Sequence, residues 1–152
     1  PPLVGPLACW NYYQSIKTRE NAAFVKAFKK YCKAKGLPGG TKRVTDDPIE
    51  AAYFGVYVWK TAVEKAKSFE VDKVRKAVYG LKFDAPGGPK SMHPSNQHTL
   101  KPVYVGEILK NGQFKIVWKS DGLVSPDSYS TYLHTDGNVP KPTGGPNGDG
   151  SL

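Results

Sequence analysis

IEAAYFGVYVWKTAVEKAK (49–67) is the stretch from which the rest of the chain is read. Ile49, Ala52, Tyr53, Val56, Trp59, Ala62 and Val63, joined by Phe54 and Val58, put apolar groups on nearly every side of a helix. A helix of that kind is central and packs on more than one side. Asp46 or Asp47 supplies its N-cap and a negative charge at the positive end of the dipole. Pro48 falls where a first-turn proline is tolerated. Gly55 costs about 1 kcal/mol against alanine unless a close neighbour needs the space.

Upstream, Ala22, Ala23, Phe24, Ala27, Phe28 and Tyr31 recur at three- and four-residue spacing, with lysines at 26, 29, 30 and 33 mostly between them. This predicts an amphipathic helix over 19–35, capped by Thr18 and stopped at Gly36. The opening LVGPLACWNYYQSI (3–16) has no helical period and reads as a buried strand running into a loop. Downstream, a third helix over 70–79 carries Val71, Val74 and Val78, with Leu81 beyond. LKFDAPGGP (81–89) reads as a short strand or turn and KSMHPSNQHTLKP (90–102) as a polar loop. PVYVGEILK and QFKIVWK flank Asn111-Gly112, which predicts a hairpin with a type I′ turn. Residues 136–152 are poor in apolar groups and are expected to be disordered.

The fold class is α/β, but three helices have few strands to cover. The chain therefore reads as a C-terminal piece whose partners lie upstream. The apolar faces of strand 3–13 and helix 48–66 call for upstream strands, a partner chain or self-association.

The length of 152 residues suits one domain or part of a larger one. A hydrophobic share of 39% argues against a wholly disordered chain, and no apolar run is long enough to cross a membrane. The start, Pro1-Pro2, has no basic-then-apolar leader, so a signal peptide is expected to be absent or already removed. Two cysteines are too few for a disulfide scaffold or a cysteine zinc site. Cys9 and Cys32 could pair in an oxidising compartment, which their spacing does not decide. The net charge is +9, and residues 17–43 alone hold nine Lys/Arg against Glu20. That segment reads as a solvated helix face; a basic patch for an anionic partner is the sharper alternative.

His93, His98 and His134 read as exposed loop histidines rather than metal ligands. Asp46-Asp47 reads as a helix cap rather than an acid/base pair, and APGGP (85–89) as a turn rather than a phosphate loop. No nucleophile constellation surrounds either cysteine, so no catalytic residue, metal or cofactor is expected and the chain does not read as an enzyme. Trp10, Asn11, Tyr12 and Tyr13 stand out. They crowd the end of a strand, where open α/β sheets border ligand crevices. Aromatic walls with a few polar groups suit a small neutral polar ligand; packing between strand and helix is the plainer reading.

With these segments in place, the chain resembles the C-terminal part of the urea- and short-chain-amide-binding proteins of ABC transporters, in the group that also binds branched-chain amino acids. The resemblance runs through WNYYQSIKTRENAAFVKAFKK (10–30), RVTDDPIEAAYFGVYVWKTAVEKA (43–66), VDKVRKAVYGLKFDAPGGP (71–89) and HPSNQHTLKPVYVGEILKNGQFKIVWKSDG (93–122). It implies a partial periplasmic-binding-protein-like fold over residues 1–135, with a two-lobed clamp that closes on its ligand without catalysis. It implies a periplasmic protein working with an ABC permease, urea or an amide as ligand, and no nucleic acid. The resemblance implies Tyr12 and Tyr13 as the leading ligand-binding residues, followed by Asn11 and Trp10; Asp46 falls near the cleft but is read as a cap. A cytoplasmic amide sensor and a branched-chain amino-acid binder are the alternatives within the group. A ligand-free interaction fragment using the basic helix is the alternative outside it. Arg19 departs from the proline usual there, and YCKAKGLPGG (31–40) is longer and more basic than the group's pattern.

Overall fold

The computed structural model describes residues 3–126. The expected disorder of 136–152 and the placement of His134 lie outside them. In chain order the elements are β1 (Leu7–Trp10), α1 (Arg19–Ala34), α2 (Asp47–Ala66), α3 (Val71–Val78), β2 (Lys82–Ala85), β3 (Gly88–Met92), β4 (Thr99–Leu100), β5 (Tyr104–Ile108) and β6 (Phe114–Lys119). They form two antiparallel three-stranded sheets, β1-β5-β6 and β2-β3-β4.

The helices start where local chemistry says they should. Thr18 Oγ1 accepts from Asn21 N at 3.1 Å, and Asp46 Oδ1 accepts from Ile49 N at 2.9 Å. Each satisfies a backbone donor that the first helical turn leaves free. After α1, Gly36 turns the chain away with a φ of +60°, the left-handed stop that glycine adopts without a Cβ penalty.

Three apolar clusters hold the elements together. Tyr12, Tyr13, Ile16, Phe24 and Tyr104 join the loop after β1 to α1 and β5. Phe54, Val58, Ala85 and Met92 seat α2 on the β2-β3-β4 sheet, while Ala62, Val74 and Ala77 pack α2 against α3.

The structure corrects several expectations. β1 is not buried: it is an edge strand paired only with β5, and Leu7 and Trp10 are 64% and 52% exposed. Helix α2 is not covered all round. It buries Glu50, Phe54, Val58 and Ala62, an i, i+4 stripe, while Val56, Tyr57 and Trp59 on its other sides are more than half exposed. Val71 of α3 is also open, at 76%. The polar segment 90–102 is not all loop: Ser91 and Met92 pair with Leu100 and Thr99, on either side of the turn at 93–98.

The hairpin is where it was expected, but its turn is not type I′. Gly112 N donates to Leu109 O at 2.9 Å and Leu109 N to Gln113 O at 2.8 Å, with a positive φ of 74° at Gly112 and none at Asn111. This is a turn closed by a left-handed glycine, in which Asn111 Oδ1 accepts from Gln113 N at 3.0 Å. Cys9 is exposed, Cys32 is buried, and both are free.

Candidate functional site

The chain passes from β1 into the loop 11–18, and that loop forms the floor of the candidate site. A cavity of about 340 Å³ opens between three segments: Trp10 to Gln14, Val44 to Pro48 at the entry of α2, and Gly112 to Phe114 at the hairpin turn. Trp10, Tyr12 and Tyr13 all line it, so the structure brings three of the four expected ligand-binding residues together, with Asp46 beside them.

Their roles in the wall differ. Trp10 is half exposed. Tyr12 is 2% exposed, and its hydroxyl is held inside: it donates to Asn21 Oδ1 at 2.7 Å and lies 2.7 Å from Thr45 Oγ1. Tyr13 donates to Ala8 O at 2.6 Å and packs on Phe114 with ring centroids 4.6 Å apart. Neither tyrosine therefore offers a free hydroxyl to the cavity. Asn11 does not line the cavity; its Nδ2 donates to Pro102 O at 2.9 Å, tying the loop to the strand entering β5.

Gln14, absent from the expected set, joins two sides of the cavity. Its Oε1 accepts from Thr45 N at 3.0 Å, and its Nε2 points at Gln113 Oε1 at 3.4 Å. The polar rim is rich in acceptors. Asp46 is exposed and spends one oxygen on the helix cap, while Asp47 Oδ1 is buried with no hydrogen-bond partner. Burial, with Glu50 and Asp46 adding repulsion, pushes the Tyr12 hydroxyl up to about 12, against the lowering pull of Thr45. The Tyr12 ring is thus neutral across the physiological range. Burial raises Tyr13 as well.

Behind this wall lies a second polar feature that sequence reasoning missed. Glu50 on α2 and Lys90 on β3 have fully buried side chains, with Nζ 3.1 Å from Oε1. The contact is charge to charge rather than a well-aligned hydrogen bond, and Glu50 Oε2 has no hydrogen-bond partner. Burial lowers the Lys90 ammonium from its ordinary value, and Glu50 opposes that shift. Glu50 Oε1 also takes the N–H of Gly87 at 2.9 Å, while Tyr104 donates to Gly87 O at 2.8 Å. One residue thus links α2 to β5. A Cβ on Gly87 would stand 3.0–3.1 Å from Lys90 Nζ, Asn11 O and Glu50 Oε1.

Residues 1–135 match the sequence pattern of the periplasmic binding protein domain. A Geobacillus stearothermophilus protein named limonene hydroxylase is 29% identical over 117 residues, 77% of this chain and 20% of that protein. A Brucella abortus (strain 2308) protein named Leu/Ile/Val-binding protein homolog 6 is 29% identical over 108 residues, 70% of this chain and 26% of that protein. Among solved structures, a solute-binding protein of an ABC transporter from Rhodopseudomonas palustris HaA2, in complex with p-hydroxybenzoic acid, superposes with a TM-score of 0.66 at 25% identity. That match covers 80% of this chain and 32% of the other. The chain spans from 20% to 32% of the length of these three proteins.

Proposed function

Because the chain belongs to the periplasmic binding protein domain family, we propose that residues 1–135 are the C-terminal portion of a two-lobed solute-binding subunit of an ABC transporter. The subunit closes on urea or a short-chain amide in the periplasm and presents it to an ABC permease, without catalysis. The family is one of substrate-binding rather than catalytic proteins. Upstream segments of the same protein would complete the cleft and cover the open sides of α2 and the free edge of β1.

The observation that carries the ligand class is the acceptor-rich rim beside an open aromatic face. Asp46 is exposed and spends one oxygen on its helix cap, Asp47 and Gln14 stand next to it, and the Trp10 ring is half exposed. Urea and amides are planar and neutral, and carry N–H donors that such oxygens accept. A carboxylate such as p-hydroxybenzoate would instead approach two like charges.

A second reading follows from the same oxygens. The ammonium of a branched-chain amino acid would also be accepted by Asp46 and Asp47, and the Brucella relative's name points that way. Its carboxylate would then need a donor from the other lobe. A cytoplasmic amide sensor with the same site is compatible with the rim and differs in compartment, not in chemistry.

Calorimetric titration of the full-length natural protein separates the two solute classes. Urea or acetamide is expected to give saturable heat, weakened about tenfold by Trp10→Ala, the loss typical of an aromatic anchor. Saturable heat with leucine and none with urea would move the assignment to the second reading. Heat with p-hydroxybenzoate alone, or with none of the four, would reject both.

A further inference from the structure

Helix α1 is charged unlike the other helices. In α2, Lys60 pairs with Glu64 at 2.7 Å; in α3, Lys73 pairs with Glu70 at 2.8 Å and Arg75 with Asp72 at 3.7 Å. Among the described residues, no cation of α1 has an anionic partner within 4.0 Å. Arg19, Lys26, Lys29, Lys30 and Lys33 fall within an arc of about 100° on α1. That arc lies away from the buried side chains of Asn21, Phe24 and Cys32. The stripe runs about 21 Å along the helix at 1.5 Å per residue. Lys26 with Lys30, and Lys29 with Lys33, are like charges one turn apart, an arrangement that weakens a helix on its own. External anions would relieve that repulsion.

The N-terminal half of the stripe also borders a groove. Lys17, Lys26 and Lys29 line a shallow depression of about 610 Å³ together with Ser15 and Thr18. The Ser15 hydroxyl oxygen is buried and has no hydrogen-bond partner.

We propose that this face docks on a membrane surface bearing anionic phospholipid headgroups, with the groove receiving a headgroup phosphate. Lysines carry compact charges on flexible stems and suit anions that can move to meet them. Lipid phosphates diffuse laterally and need no complementary shape. No aromatic side chain lines the groove to stack on a base, which sets the site apart from single-stranded nucleic-acid platforms. The proposal does not depend on which solute the protein binds.

Co-sedimentation of the full chain with vesicles tests it. The chain is expected to bind phosphatidylcholine vesicles doped with phosphatidylglycerol, to ignore pure phosphatidylcholine, and to be released as salt rises. Replacing three lysines together, Lys26→Gln, Lys29→Gln and Lys30→Gln, should weaken vesicle binding about a hundredfold at roughly 1 kcal/mol per charge. The melting temperature should not fall, since both like-charge pairs are removed, and Lys60→Gln on α2 should bind as the parent does. Failure to bind the anionic vesicles, equal binding to both vesicle types, or undiminished binding by the triple variant would each overturn the proposal. So would binding to inorganic phosphate, heparin or duplex DNA without binding to vesicles.

Discussion

Glu50→Leu is expected to lower folding stability by about 3–5 kcal/mol, and Lys90→Met by a similar amount. Each substitution strands the partner's charge in a site where both side chains are fully buried. An uncompensated charge there cannot be rescued by water without opening the contact between α2 and β3. The two replacements together should recover a large part of the loss, because two apolar side chains of similar volume leave no charge behind. Recovery should be incomplete. Gly87 N would lose the acceptor that now lies 2.9 Å away, and a buried unpaired donor costs about 1–3 kcal/mol. Guanidinium unfolding of the parent, both single variants and the pair gives the full cycle. Single losses below about 1 kcal/mol would mean that the pair is solvated, contrary to its burial.

Gly106→Ala carries the second-largest effect, and it acts on the site itself. A Cβ at Gly106 would lie 3.0 Å from Tyr13 Cζ and 3.1 Å from two Phe114 carbons. Tyr13 and Phe114 both line the cavity, so the added methyl must push apart the ring pair that forms part of its wall. Overpacking of this kind costs about 1–3 kcal/mol, and solute affinity should fall with it. Gly55→Ala is the matched control. No atom lies within 4 Å of its Cβ position, so the same change in α2 should raise stability by roughly 0.5–1 kcal/mol. Thermal melts of the two variants check both signs.

The contrast between these glycines shows what was legible in the sequence. Helices α1 and α2, with caps at Thr18 and Asp46, follow from local periodicity and short-range hydrogen bonds. The hairpin around Gly112 was also legible, although its turn type was not, because Asn111 turns its side chain onto Gln113 N instead of adopting a left-handed backbone. The exposure of β1 could not be read, since an apolar strand looks buried whether or not its outer neighbour is present. The same limit hid the open sides of α2, where Trp59 is 53% exposed.

The site was half legible. A cluster of aromatics at a strand end pointed to the cavity wall, and Trp10, Tyr12 and Tyr13 meet there. Asn11 sits among them in sequence yet faces Pro102. Gln14 gave no sign, because its importance lies in bridging residues 45 and 113. Glu50 and Lys90 were invisible for a similar reason. A charge within a helix or a polar strand reads as solvated, and only the approach of distant segments buries it.

Closure on a solute is the central claim, and small-angle X-ray scattering of the full-length natural protein tests it most directly. On saturation with urea or acetamide, the radius of gyration is expected to fall as the lobes close over the Trp10 wall. Calorimetric saturation by either solute with no change in radius would contradict closure, and with it the reading of this chain as part of a two-lobed clamp.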